Sequence, residues 1–361
     1  MSNRDTLVQP GMLNNGLRGV RSTRNTWQTT PLGQGRQAPM ESAMLNPNSI
    51  ATTRELKVYS KATMVKGQPA LVDCVDICGQ TYAIANGPVT VMSLEDDWFA
   101  DVIDAHMVVD VLKESTGFKP DIFTFWQRPP HVEPEHSFYI EWEELAVLPI
   151  RSYEHWWSHQ IKSRTRTQIR KAEKAGLVVK EASYDDDFVR GMTAIFNETP
   201  VRQGRKFWHY GKDFDTVRRQ FSRFTHRENM IGAYYKDELI GFIMMGDAQR
   251  YGVTSQIISA IKHRDKFPNN ALIAKAVELC ERKRLPYLVY LFWGNDSLAE
   301  FKRRCGFEKM RLPRYFVPLT QKGKLALQLG LHRGWKALLP RQLTTSLKKL
   351  SGHWHAFRRV E

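Results

Sequence analysis

The chain has 361 residues, 42% of them hydrophobic and 11% aromatic, which is enough for two compact domains with real cores, and its formal net charge is +15. No run approaches the roughly 18 apolar residues that span a bilayer, and no apolar stretch follows the early arginine, so a secretory leader and a membrane span are not expected and the location reads as cytoplasmic. The cysteines Cys74, Cys78, Cys280 and Cys305 are too few for a disulfide scaffold and have no histidine at ligand spacing, so they read as buried thiols with no metal site.

Charge is unevenly spread. Lys and Arg stand against Asp and Glu as 7 to 16 in residues 51–150, 8 to 2 in 151–180, 24 to 17 in 181–320 and 9 to 1 in 321–361. An acidic first half facing a basic second half suggests docking of the halves or recruitment of an anionic partner.

Residues 1–45 are rich in Asn, Gln, Gly, Arg, Thr and Pro without an apolar period, the composition of a flexible tail. Residues 46–150 read as a mixed α/β half, with extended segments at Ala70–Val75 and Thr81–Ala85, a helix over Trp98–Ser115, and strands at Ile122–Trp126 and Phe138–Trp142. Tyr153–Ala175 reads as one long basic amphipathic helix, linking the halves over 151–176, with Trp157 and the earlier Trp142 as core aromatics. Its stretch Lys162–Lys174 holds six basic residues and one acid, suited to docking the acidic half, tracking RNA or lying on an anionic membrane.

The pattern is regular over residues 177–320. Leu177–Ala182 alternates as a strand, Asp187–Glu198 and Phe214–Phe224 are helical, and Met230–Tyr235 with Leu239–Gly246 form a hairpin about Lys236-Asp237-Glu238. Tyr251–Ile261 is a strand and Pro268–Arg284 a helix, with Asn269 and Asn270 at its start as caps. Pro286–Phe307 then reads as a buried strand, a turn at Asn295-Asp296, and a helix opened by Ser297 and Glu300 at capping-box spacing and closed by Gly306. Lys302 falls at the border of that helix's buried face. Tyr315–Leu319 adds a strand before a basic helical extension over 321–361 containing Leu325, Leu327, Leu329, Trp335 and Leu338.

This order of elements resembles the fold shared by GNAT N-acetyltransferases and FemAB-like aminoacyl transferases, a mixed α/β sheet flanked by helices. The residues carrying the likeness are Arg166-Thr-Gln-Ile-Arg-Lys-Ala-Glu-Lys-Ala-Gly176-Leu-Val-Val, similar to the helix, glycine and first strand of FemAB-like and BioF-type proteins. Pro268-Asn269-Asn270-Ala-Leu272 resembles their donor-side helix start, and Phe301-Lys302 with Gly306-Phe307 their late Phe-Lys and Gly-Phe elements. The likeness runs from Arg166 to Leu319, and over 55–340 if the first half is a degenerate copy of the same fold. It implies an N-acyltransferase moving an acyl or aminoacyl group to an amine by direct attack, without a metal or tightly bound cofactor. Acyl-CoA, an acyl carrier protein or an aminoacyl-tRNA would be the carrier. His263–Asn270 lacks the glycine-rich turn with which GNAT enzymes cradle the pyrophosphate of coenzyme A, so the resemblance leans toward the FemAB branch.

On this reading Lys302 stabilises the oxyanion, His263, Arg264 and Lys266 grip donor phosphates, Asn269 and Asn270 contact the donor, and Asn295, Asp296 and Phe301 line the acceptor side. Asp247, Tyr251 and His263 are the available proton acceptors, none favoured over the others. The competing reading is a non-catalytic protein of the same fold that binds RNA, an anionic membrane or a protein through its basic face.

Overall fold

A computed structural model describes residues 55–333, except 66–67, 203–204, 223–224 and 295. The expected N-terminal tail, Asn295, Trp335 and Leu338 lie outside the described residues. In the first half β1 (Tyr59–Val65), β2 (Gln68–Ile77), β3 (Gln80–Ala85) and β4 (Val91–Leu94) form an antiparallel meander. Helix α1 (Ala105–Glu114) then crosses to β5 (Ile122–Trp126), which pairs parallel with β4 only at Val91↔Ile122 and Met92↔Phe123. The long strand β6 (Tyr139–Pro149) closes this half.

The second half repeats the pattern. After α2 (Tyr153–His155), a π-helical turn at Trp156–Gln160 and α3 (Ser163–Lys174), β7 (Val178–Ala182) leads into α4 (Asp186–Asn197). A small hairpin of β8 (Val201–Arg202) and β9 (Arg205–Lys206) precedes α5 (Phe214–Phe221). Strands β10 (Glu228–Tyr235), β11 (Glu238–Asp247) and β12 (Gly252–Ser259) continue antiparallel from β7. A 3₁₀ turn (Ile261–Lys266) and α6 (Pro268–Arg282) cross to β13 (Tyr287–Phe292), parallel to β12. Then come α7 (Asp296–Arg304), β14 (Glu308–Pro318) and α8 (Gln321–Gln328).

The last strand of each half is exchanged. β14 pairs with β5, β6 pairs with β13, and the two exchanged strands pair with each other in the middle. One sheet of twelve strands results, in the order β1-β2-β3-β4-β5-β14-β6-β13-β12-β11-β10-β7. Helices α3 and α6 pack on one face, where Ile169, Ala172, Leu272 and Val277 meet Ile231, Ile243 and Met245. On the other, α4 buries Phe188, Val189, Met192, Ile195 and Phe196, a helical stripe worth about 1.5–3 kcal/mol per large side chain, against Met230, Phe242 and Met244.

Tertiary contacts move several boundaries. The helix expected from Trp98 begins at Ala105, because Asp104 caps the Met107 amide and Phe99 and Ala100 turn back onto the Asp96 carbonyl. Trp98 and Phe99 instead pack against Val253, Val289 and Phe292 of the second half. The long helix expected over 153–175 breaks at extended Ile161 and Lys162, where the Lys162 amide donates to the Arg304 carbonyl at 3.1 Å. Strands β6 and β14 run well past the expected 138–142 and 315–319, since their polar residues pair across the sheet, as Lys309 does with Glu144 at 3.0 Å.

The docking expected of the basic helix is made elsewhere. Lys162, Arg164, Arg170, Lys171 and Lys174 are exposed, and α3 packs on α6 within its own half. The acidic half is held by Arg227 to Asp96 at 2.7 Å, Arg314 to Asp97 at 3.3 Å, and Arg250 to Asp101. Trp142 is not a core residue; it is 36% exposed, with the Arg311 guanidinium 5.1 Å from its ring.

Candidate active site

Strands β12 and β13 pair only at Gly252↔Leu288 and Val253↔Val289, then part, leaving a wedge open toward their C-terminal ends. Each wall carries a bulge. On β12 the register steps from Met244↔Gln256 to Met245↔Thr254, so Ser255 is the extra residue. On β13 the pairing with β6 steps from Val289↔Val147 to Phe292↔Leu145, and Leu291 takes a positive φ of 48°. Parallel strands that part after two residues leave backbone groups that no ladder satisfies, which is where a ligand or a side chain must enter.

Lys302 enters the β13 bulge. It is 1% exposed, far from the border position expected from its helix. Its Nζ donates to the Tyr290 carbonyl at 2.8 Å and to the Phe292 carbonyl, and sits 4.2 Å from the Tyr290 ring centroid. Burial pushes its pKa down to about 7, whereas two carbonyl acceptors and an aromatic face favour the cation. Two of the three ammonium N–H groups are thereby committed at the wedge wall. Phe301, its neighbour on α7, packs half-buried on the α6 side, and Asp296 is the first residue of that helix.

The expected donor-side residues gather at the other wall but are largely bound within the protein. The 3₁₀ turn after β12 leans on the β10–β11 hairpin, with Lys262 2.6 Å and His263 3.6 Å from Glu238. His263 lies by the Tyr235 ring at 5.8 Å, and Lys266 is 4.7 Å from the same ring and 2.9 Å from Asp265. Arg264 is exposed. Asn269 and Asn270 do not cap α6, because left-handed Phe267 occupies the cap position and Pro268 starts the helix. Asn270 donates to Gln168 of α3 at 3.3 Å, and the Asn269 side-chain oxygen is buried without a partner.

Two carboxylates at this site carry no sequence motif. Glu198, at the end of α4, accepts the amides of Ile261 and Lys262 at 2.6 and 2.8 Å and is 3.1 Å from Arg202. It therefore occupies the amides that follow β12, the place where a phosphate-binding turn presents its own. Glu228, at the start of β10, accepts the Ser255 hydroxyl at the β12 bulge. An acid opening an otherwise apolar strand was the one available signal for it.

Of the proton acceptors considered from sequence, Asp247 and Tyr251 are engaged, while both His263 ring nitrogens are buried without a hydrogen bond. Asp247 is 3.3 Å from Lys283, and the Tyr251 hydroxyl meets Arg128 and the Trp98 carbonyl. Among the described residues no group of three or more His, Cys, Asp or Glu could hold a metal ion, and no helix is long and apolar enough to cross a membrane.

No protein-family model and no curated protein matches the chain. Solved structures do. FemX is 11% identical over 76% of this chain and 90% of its own, with a TM-score of 0.53. The C-terminal domain of a putative lysylphosphatidylglycerol synthetase from Agrobacterium fabrum is 10% identical over 74% and 87%, at 0.47. A tandem GNAT protein from the clavulanic acid biosynthesis pathway is 10% identical over 69% and 83%, at 0.36. The twelve-stranded mixed sheet flanked by helices and the overlap with FemX give this chain the GNAT-like fold expected from its sequence.

Proposed function

We propose that the chain is an N-acyltransferase that moves an acyl or aminoacyl group from a carrier to an amine at the β12–β13 wedge. The observation that carries this reading is the Lys302 ammonium, buried in the bulge of β13 and aimed by two carbonyls. Its third N–H stabilises the oxyanion formed when the amine adds to the acyl carbonyl, and a preorganised donor in a water-poor site is worth about 2.7–4 kcal/mol of barrier. The acceptor enters on the side of α7, past Asp296 at its start and Phe301 within it, with Asn295, outside the described residues, as the third acceptor-side residue read from the sequence. The donor lies against the turn of His263, Arg264 and Lys266 and the start of α6 at Asn269 and Asn270.

Two observations bear on the carrier. Glu198 already fills the amides after β12, which disfavours a pyrophosphate there and hence coenzyme A in the usual GNAT pose. The exposed cations of α3 favour a polyanionic carrier, an aminoacyl-tRNA over an acyl carrier protein. Residues 55–150 and 177–320 then act as a degenerate and a catalytic copy of one fold.

The test is turnover of acyl-CoA, acyl carrier protein and aminoacyl-tRNA with a mixed pool of amines. Lys302→Met should lower turnover of the true donor by about 10²–10³-fold. Equal turnover by the variant would remove Lys302 from the chemistry.

A further inference from the structure

An amine attacking a carbonyl must shed a proton, and the wedge holds a carboxylate placed to take it. Glu228 lies in register with Gly246 of β11, and Gly246 with Val253 of β12, the last β12 residue paired with β13. Partners across an antiparallel ladder share a face, so the Glu228 side chain leaves the sheet on the same face as the glycine position and reaches the bulge at Ser255. Gly246 is needed there, because a Cβ at that position would run into the Phe99 ring. Ser255 Oγ meets Glu228 Oε1 and lies 3.2 Å from the Met244 carbonyl. Two strands of the sheet thus converge on one hydroxyl where the wedge opens.

We infer that Glu228 and Ser255 form a proton relay at the β12 wall of the wedge, with Glu228 as the general base that receives the proton of the attacking amine through the Ser255 hydroxyl. This rests on the acyl-transfer reading. As the C–N bond forms, the carbonyl π pair moves to oxygen, the ammonium proton passes to Ser255 Oγ, and Ser255 gives its own proton to Glu228. Collapse of the tetrahedral adduct reforms the carbonyl and expels the carrier's thiolate or alkoxide, which takes a proton back from the Glu228 carboxylic acid. Charge, atoms and electrons balance without a metal or redox partner.

The surroundings suit a base that works near neutrality. Burial pushes the Glu228 carboxyl up to about 7, against the hydrogen bond from Ser255 that draws it down. Cations near it are taken by other acids: Arg227, the residue before β10, pairs with Asp96 of the 95–101 loop, and Lys283 pairs with Asp247 at the end of β11. From the α4–α5 side the Tyr184 phenol faces it, its hydroxyl donating to the Val217 and Arg218 carbonyls, while Arg218 pairs with Asp186. Among the described residues no unpaired cation is left beside Glu228 to hold it in its ionised form.

The experiment is the pH profile of kcat/KM with the carrier that the wild-type chain consumes, for wild type, Glu228→Gln, Ser255→Ala and Lys302→Met. Wild type should show a bell-shaped profile, rising as Glu228 loses its proton and falling as the Lys302 ammonium, pushed down by burial, loses its own. Glu228→Gln should lose the rising limb and at least about 10²-fold in plateau rate, with its donor-induced thermal shift intact. Ser255→Ala should lower the rate less and shift the limb. Lys302→Met should lose rate and the falling limb and keep the rising limb. A Glu228→Gln profile that still rises through neutrality, or a loss under tenfold, overturns the relay while leaving acyl transfer standing. If wild type consumes no carrier at all, the functional reading falls and the relay with it. Should Glu228→Gln fail to fold, Glu228→Asp decides, because a base displaced by one methylene keeps the limb at reduced rate and a purely structural acid does not.

Discussion

His209 is fully buried, stacked on Phe196 at 4.2 Å and against Trp208, with neither ring nitrogen bonded. Burial pushes its pKa down to about 2, and the cations of Lys212 and Arg202 push the same way. Below the ordinary histidine value of about 6.5 the unfolded chain takes up a proton that the native chain refuses, so stability falls as pH falls, by at most about 1.4 kcal/mol per pH unit. His209→Phe should remove this term: urea midpoints at pH 7 and pH 5 should differ less in the variant than in wild type. Glu228 has the opposite sign, because its raised pKa means the native chain holds the extra proton. Its stabilising effect is present below its unfolded value and fades as pH rises through about 7, so Glu228→Gln should gain stability relative to wild type above that pH.

At the scale of elements, the carbonyl of Arg304 at the end of α7 decides how the basic segment before β7 folds. It accepts the Lys162 amide and, at 3.0 Å, the buried Thr165 hydroxyl, and these bonds hold the chain extended at 161–162 where a periodic sequence reads as helix. Thr165→Val should cost about 0.5–1.5 kcal/mol, read as a lower urea midpoint with unchanged slope, because one hydrogen bond is lost in a site that keeps its shape. An unchanged midpoint would mean that the break is set by Ile161 packing alone. The same contact fixes α3 against α7 and so helps set the helix that carries Lys302.

The whole molecule is tied together by strand exchange. β6 belongs to the first half in sequence but pairs only with β13 and β14, and β14 from the second half pairs with β5. Fragments 55–150 and 151–361 should therefore aggregate when made separately, each exposing the unpaired edges of its central strands, and should copurify as a folded complex when made together. Two separately soluble, cooperatively unfolding fragments would refute this. The charge asymmetry has its structural counterpart at the same joint, in the ion pairs of Asp96, Asp97 and Asp101 with arginines of the second half.

Most of the sheet was legible because its signals are local. The hairpin of β10 and β11, α4, α6 and the segment from β13 to α7 have their periodicity and punctuation within a dozen residues, and their order was enough to suggest the fold. What depends on distant partners was not legible. β1 is mixed in polarity and β4 is short, the polar start of β14 is a strand only because β6 lies beside it, and no spacing reveals that two halves exchange their last strands. The site divides in the same way. Lys302 could be singled out from its place on a helix, but its burial depends on a bulge in another element, and the meeting of Glu228 with Ser255 requires three strands in register. Side-chain chemistry is written in the chain; the dielectric, the partners and the reach of each group come only from what folds against it.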